Sequence, residues 1–235
     1  MKSLSDLRCW LLESEHYYVD EIHRLNTDSA VQLFPDDASA LSGGWLYLPA
    51  EPGSGDWNIA RMLGQGSEAL TTLTLLPETE TNLLVPSEFS HLFVDRFKQQ
   101  SSLIYFEGVH TATDAVDGEA AVSADVLSKS GLTLQRRAGD EAGSFALYLL
   151  AEDQIQGYVK SIRLTPNFAE VYIEVQPGMR QRGLGNHLLS LALLEAAKSG
   201  RNLIYTVDAD NQASLALTRK VGLQQFLQLD RFLKV

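Results

Sequence analysis

One cysteine in 235 residues leaves no partner for an internal disulfide, so burial and hydrogen bonding have to hold the fold together. That residue, Cys9, is expected in the core near Trp10. Five scattered histidines, none paired on a helix face and none near a second cysteine, give no zinc-ligand spacing, and no metal is expected. Apolar runs near the ~20 residues needed to cross a bilayer are absent, so no spanning segment and no membrane partner are expected. Lys2 is followed by acidic residues within the first amphipathic stretch, so no secretory signal is expected and the location read is cytoplasmic. Basic residues are scarce where acidic ones are plentiful. Residues 1–120 hold 6 Lys and Arg against 19 Asp and Glu, whereas residues 121–235 hold 13 against 11. This balance excludes nucleic acid as a partner and directs the search for an anionic ligand to the second half. The acidic half either attracts cationic amines by its field or keeps the protein soluble.

What is present in quantity is apolar: a 45% hydrophobic content can fill one large core or two small ones. The stretch 111–119 is polar, small and aperiodic and reads as a connection, giving an N-terminal domain over 1–115 and a second over 126–235. Ser3 with Asp6 can cap a helix whose apolar face is Leu4, Leu7, Leu11, Tyr18 and Ile22. Strands are expected at Trp45 to Leu48, Leu70 to Leu76 and Leu103 to Phe106, and Ser87 can cap a helix carrying Phe89, Leu92, Phe93 and Phe97. The three tryptophans, all in this half, are assigned first to core packing and second to a substrate pocket. Beyond the connection, Leu132 to Gln135, Ser144 to Leu150 and Ile155 to Leu164 read as successive strands, with Gly157 marking a bulge.

The most informative segment runs from Ala169 to Ser199. Ala169 to Val175 alternates as a strand, Gln176 to Gly185 is a glycine-bearing loop, and a helix follows with Leu188, Leu189, Ala192, Leu193 and Ala196 in one apolar arc. A strand–loop–helix junction aims free backbone N–H groups and the positive end of a helix dipole at one point, which suits phosphate. Gly183 and Gly185 let the main chain approach closely, and Arg180 and Arg182 add charge beside the amides. The alternative for these glycines is packing alone. A Gly-Lys-Ser/Thr ending and a three-glycine dinucleotide spacing are both missing. A second match to the same six-residue pattern, Arg61-Met62-Leu63-Gly64-Gln65-Gly66, is expected to lie between a helix over Asp56 to Leu63 and a strand over Ala69 to Leu76. There the dipole would repel phosphate, and Gly64 and Gly66 would be a helix stop and turn.

Arg-x-x-Gly-x-Gly after a strand, with Val175-Gln176-Pro177 leading into it, resembles the acyl-coenzyme A loop of the GNAT (general-control-related N-acetyltransferase) superfamily. Downstream, Asn202 to Val207 reads as a strand, and Asn211 to Leu223 as a capped helix ending at glycine. Asn211, Ser214, Leu217, Lys220 and Gly222 match the family pattern there, while Thr218 stands where the family often has a tyrosine that reprotonates the departing thiolate. The resemblance covers about residues 145–225. It implies an α/β (α+β) fold with a GNAT-type mixed, mostly antiparallel sheet flanked by helices, preceded by an additional α/β domain that is itself GNAT-like and degenerate.

The resemblance further implies acetyl-CoA as cosubstrate. Arg180, Gln181, Arg182, Gly183, Leu184, Gly185 and Asn186 would hold its pyrophosphate, Ile173 and Val175 would pair with pantetheine, and Asn211 would hold pantetheine or its thioester end. The implied reaction is acetyl transfer to an amine, of a small molecule or a protein, by direct attack in a ternary complex. Glu170, ten positions before Arg180, matches the base of the histone-acetylating branch, and strand alternation makes Glu174 the alternate. Ser214, Tyr205 or a water chain would return the proton to sulfur, and a backbone N–H near Val175 would face the developing oxyanion. An inactive acyl-CoA sensor or scaffold is the competing reading, favoured by Thr218. Acceptor identity, acyl length and oligomeric state stay open, a homodimer included.

Overall fold

The computed structural model describes residues 4–27, 31–36, 40–50, 57–109, 127, 131–139 and 141–235. The connection expected at 111–119 and the Ser3 cap lie outside these. In chain order, α1 (Leu4–Leu12), α2 (Val19–Thr27), β1 (Gln32–Phe34), α3 (Ala40–Gly43), β2 (Trp45–Leu48), β3 (Asn58–Met62), α4 (Gly66–Thr72), β4 (Thr81–Pro86) and a 3-10 turn over Ser87–Leu92 precede β5 (Lys98–Gly108). Then come β6 (Thr133–Ala138), β7 (Phe145–Ala151), β8 (Gln154–Leu164), β9 (Phe168–Val175), α5 (Leu184–Lys198), β10 (Asn202–Asp208), α6 (Gln212–Val221) and β11 (Gln224–Lys234). The chain divides into two compact units. One is Met1–Ile104 with Asp208–Asp210 and Leu227–Val235, and the other is Tyr105–Val207 with Asn211–Phe226. They differ from the contiguous 1–115 and 126–235 halves because β5, β10 and β11 each have residues in both. Among the described residues no helix is long and apolar enough to cross a membrane.

In the first unit the strand order is β1-β2-β3-β4-β11, parallel only between β3 and β4. Alternation along β2 feeds two cores. Trp45 and Tyr47 join Ala69, Phe93 and Phe232 on one side, while Leu46 and Leu48 join Leu7, Leu11 and Ile22 on the other. The Phe93 ring lies 6.0 Å from Trp45 and 5.8 Å from Phe232, and the Trp45 indole N–H donates to Ala69 O at 2.9 Å.

Several expectations for this half are corrected. The first apolar stretch is two helices joined by a 3-10 turn, Glu15–Tyr17. Cys9 is exposed, and Trp57 is 55% exposed. Within the Asp56 to Leu63 stretch expected as a helix, Asn58 to Met62 is strand. Leu70 to Leu76 is helix and 3-10 turn where a strand was expected. Ser87 makes no cap bond, since Pro86 occupies the cap of that turn.

The second unit has strand order β5-β10-β9-β8-β7-β6, parallel between β9 and β10 and antiparallel from β9 to β6. The β7–β8 register shifts where Leu149 pairs with Gly157 and Leu150 with Ile155, the bulge expected at Gly157. A Cβ on Gly157 would stand 3.3 Å from Leu188 Cδ1, so the missing side chain there gives α5 room against the sheet. Helix α5 packs on β7, β8 and β9. It is buried on more than the one arc read from sequence, because Leu184, His187, Leu191 and Leu194 are covered too.

Candidate functional site

Strand β9 ends in a geometry that leaves main chain available. Its parallel ladder with β10 pairs Asn202 with Phe168, Leu203 with Ala169, Ile204 with Glu170 and Tyr205 with Val171, and goes no further. On its other edge β9 continues against β8 up to Val175 opposite Gly157, and the Gln176 N–H donates to Gln156 O at 2.9 Å. Strand alternation then points the N–H groups of Ile173 and Val175 away from β8, toward the β10 side where the ladder has stopped. The Val175 carbonyl on that side accepts from Arg180 Nε at 3.1 Å, which folds the loop back on the strand end.

The loop passes through a 3-10 turn, Pro177–Met179, and reaches α5 by way of two left-handed residues, Gln181 at φ 62° and Gly183 at φ 80°. Glycine at that second position avoids the cost a Cβ would carry there. The first helical bond is His187 N–H to Gly183 O at 3.1 Å, so the amides of Leu184, Gly185 and Asn186 have no acceptor inside the helix. Behind them lie fifteen residues of helix dipole. Arg180, Gln181, Arg182 and Gly183 are exposed beside these donors, and Asn186 Oδ1 is buried with no hydrogen-bond partner. The two glycines do different work. A Cβ on Gly183 would meet nothing within 4 Å, whereas one on Gly185 would face Leu217 Cδ2 at 3.5 Å. Gly183 opens the cradle, and a Cβ at Gly185 would stand in ordinary van der Waals contact with Leu217 of α6. His187, 2% exposed with Nε2 unpartnered, has its pKa lowered by burial.

The acidic residues of β9 divide sharply. Glu170 is 4% exposed, with Oε2 accepting from Arg163 Nη1 at 3.0 Å and Oε1 from the Thr206 hydroxyl at 2.7 Å. Glu174 is half-buried and accepts from the Tyr158 hydroxyl at 2.8 Å. Tyr158 has its phenol pushed up to about 12, by burial first and the Glu174 carboxylate second, and stays a neutral donor at ordinary pH. Its ring is 5.9 Å from Tyr148 and 6.0 Å from Tyr172. Glu174 and Tyr158 lie on the face away from α5, because their neighbours Val175 and Gly157 face Leu188.

At the start of α6, Asn211 Oδ1 accepts the Ser214 N–H at 3.1 Å as a helix cap. The Ser214 hydroxyl lies 3.2 Å from that of Tyr205, the last β10 residue in the ladder with β9, whose phenol is raised by burial. Thr218 is fully buried and donates back to Leu215 O at 2.9 Å, so it presents no hydroxyl outward. Gly222 ends the helix at φ 81°.

Among the residues sequence reasoning expected in the site, the structure brings Arg180 to Asn186 together at one helix start. It places Ile173 and Val175 on the free strand edge and Glu174 on the opposite face, and it buries Glu170. The partners Tyr158, Arg163 and Thr206 went unassigned, because alternation gives the face of a strand residue but not its register across three strands.

The second glycine pattern also stands at a strand–loop–helix junction, β3 to α4, and β3 and β4 run parallel as β9 and β10 do. The reversed context expected for it is overturned, but its loop is filled by its own chain. The Leu63 and Gln65 amides donate to Gly44 O and Ser42 O, and a Cβ on Gly64 would lie 2.2 Å from the Ser42 backbone. Arg61 is 3% exposed, 3.8 Å from Glu21 and over the Tyr18 ring at 5.7 Å.

A family model described as Acetyltransferase (GNAT) family matches residues 117–223. Among solved structures, a functionally unknown conserved protein from Staphylococcus epidermidis is similar at 11% identity and TM-score 0.56, over 90% of this chain and 96% of its own. A GCN5-related N-acetyltransferase-like protein from Streptococcus suis is similar at 13% identity and TM-score 0.54, over 93% and 99%. A tandem GNAT protein from the clavulanic acid biosynthesis pathway is similar at 14% identity and TM-score 0.52, over 92% and 87%. At these identities the likeness is one of fold. No curated protein matches the sequence.

Proposed function

Because residues 117–223 match the acetyltransferase (GNAT) family model, we propose that this chain is an N-acyltransferase that moves acetyl from acetyl-CoA to a primary amine, by direct attack in a ternary complex. One observation carries the reading: a strand edge freed where the β9–β10 ladder stops leads directly into a helix start with orphan amides and two exposed arginines. The residues present fit the coenzyme. Arg180, Gln181, Arg182, Gly183, Leu184, Gly185 and Asn186 would hold the pyrophosphate, Ile173 and Val175 the pantetheine amides, and Asn211, through its Nδ2, the thioester end. When bound, acetyl-CoA supplies an acyl carbonyl activated by a good leaving thiol.

The chain's own groups then have separable tasks. A free alkylamine has a pKa of about 10 and arrives protonated, so it needs a base. Glu174, half-buried with one oxygen held by Tyr158, is the carboxylate placed to accept that proton, directly or through water. A backbone N–H near Val175 on the free edge, other than the one that pairs with pantetheine, is the donor available to the oxygen that gains charge. Tyr205 and Ser214, 3.2 Å apart, form the hydroxyl pair that returns a proton to sulfur, a task Thr218 cannot take from its buried position. The first unit is a degenerate copy of the same plan, a reading supported by its parallel β3–α4–β4 arrangement and filled loop.

The test is thiol release from acetyl-CoA by the purified protein with a panel of small-molecule and peptide amines. Release above the coenzyme's background hydrolysis with at least one amine is expected. Coenzyme binding with no release on any amine would favour the second reading, a sensor or scaffold, for which buried Thr218 is the supporting observation. No binding would remove both.

A further inference from the structure

We propose that Glu170 is a positioning residue, a buried clasp that sets where β9 and β10 separate, and not the proton acceptor. This rests on the coenzyme reading above, since that gap is where pantetheine would lie.

Three features of one carboxylate carry it. It is 4% exposed, so an incoming amine has no open side from which to reach it. It spans three strands, taking Arg163 of β8 at 3.0 Å and Thr206 of β10 at 2.7 Å. And it does so at an irregularity on each side. Toward β8 the ladder shifts register between Ser161 opposite Val171 and Arg163 opposite Glu170. Toward β10 the ladder ends at Tyr205, one residue before the threonine that donates to Glu170. A bulge and a strand opening both weaken backbone pairing locally. The Thr206 hydroxyl bond to Glu170 is therefore the side-chain tie just beyond the last main-chain pair, and Arg163 anchors the same carboxylate from behind. Charge-assisted bonds of this kind are directional and stiff, which suits fixing a strand separation. Glu174, four residues on and on the same face, is left as the carboxylate with an accessible oxygen.

The experiment compares the wild type with E170Q, T206V and T206S. Three readouts are used: the dissociation constant for coenzyme A by calorimetry, the pH profile of kcat, and amide hydrogen exchange of residues 172–175 and 204–207. A clasp predicts that E170Q and T206V each weaken coenzyme A about tenfold and speed exchange in both segments. It also predicts that T206S restores both, that E170Q with T206V is no worse than either alone, and that the acidic limb of the kcat profile survives in E170Q. T206V keeps the shape of threonine and loses only the hydroxyl, so its result stands even if E170Q folds poorly. Loss of the acidic limb in E170Q with coenzyme affinity and exchange unchanged would overturn the clasp and return the base to Glu170. If the wild type binds no coenzyme, the functional reading falls, and hydrogen exchange in T206V alone still decides the clasp: unchanged exchange rejects it.

Discussion

At the scale of single residues, the two loop glycines predict different failures. Gly183→Ala puts a Cβ into open space at φ 80°, which costs about 1–2 kcal/mol of stability and crowds the cradle. Coenzyme affinity is expected to fall at least tenfold in calorimetry while the protein stays folded. Gly185→Val sets its Cβ in ordinary contact with Leu217, so only its two added methyls crowd that side chain, and overpacking of about 1–3 kcal/mol should appear as a lowered denaturation midpoint. His187 gives the pH dependence. Its folded pKa lies below the model-peptide 6.5, so between those values the unfolded chain binds more protons and stability falls as pH falls. Urea midpoints at pH 7.5 and pH 5.5 should therefore differ, and His187→Leu should narrow that difference; an undiminished difference would assign it to other groups. The loop residues were legible in the sequence because glycine and arginine spacing reports main-chain chemistry directly. The Glu170 clasp was not, because its partners come from β8 and β10 and their register is set only in the assembled sheet.

At the scale of elements, the second unit was read well and the first was not, for a physical reason. Strands β7 to β10 alternate or run apolar between clear turns, and α6 carries an Asn211 cap and a Gly222 stop. In the first unit β3 has the sequence Asn-Ile-Ala-Arg-Met, without alternation, and its charged Arg61 is buried against Glu21 and Tyr18. Helix α4 carries threonines that favour strands, and packing on Trp45 and Phe89 overrides them. The short buried run Thr81 to Val85 before Pro86 was a strand signal that passed unread, as was β11. The internal occupancy of the β3–α4 loop makes a prediction of its own. Arg61→Ala removes a buried cation that lies 3.8 Å from Glu21 and over the Tyr18 ring, and should lower the urea midpoint with coenzyme affinity unchanged. A loss of affinity at intact stability would show that this loop binds ligand.

At the scale of the whole molecule, two copies of one strand–loop–helix plan have opposite fates. One has its loop amides satisfied by Ser42 and Gly44, and the other leaves them free beside Arg180 and Arg182. That difference is the central claim, since the proposed chemistry follows from a coenzyme seated at the second loop and nowhere else. Calorimetric titration of coenzyme A into the full chain tests it most directly. The account predicts one molecule bound per chain, with binding lost when Arg180 and Arg182 are both changed to Ala and retained when Arg61 is. Two molecules per chain, or binding that survives the Arg180 and Arg182 changes and fails with Arg61, would contradict it.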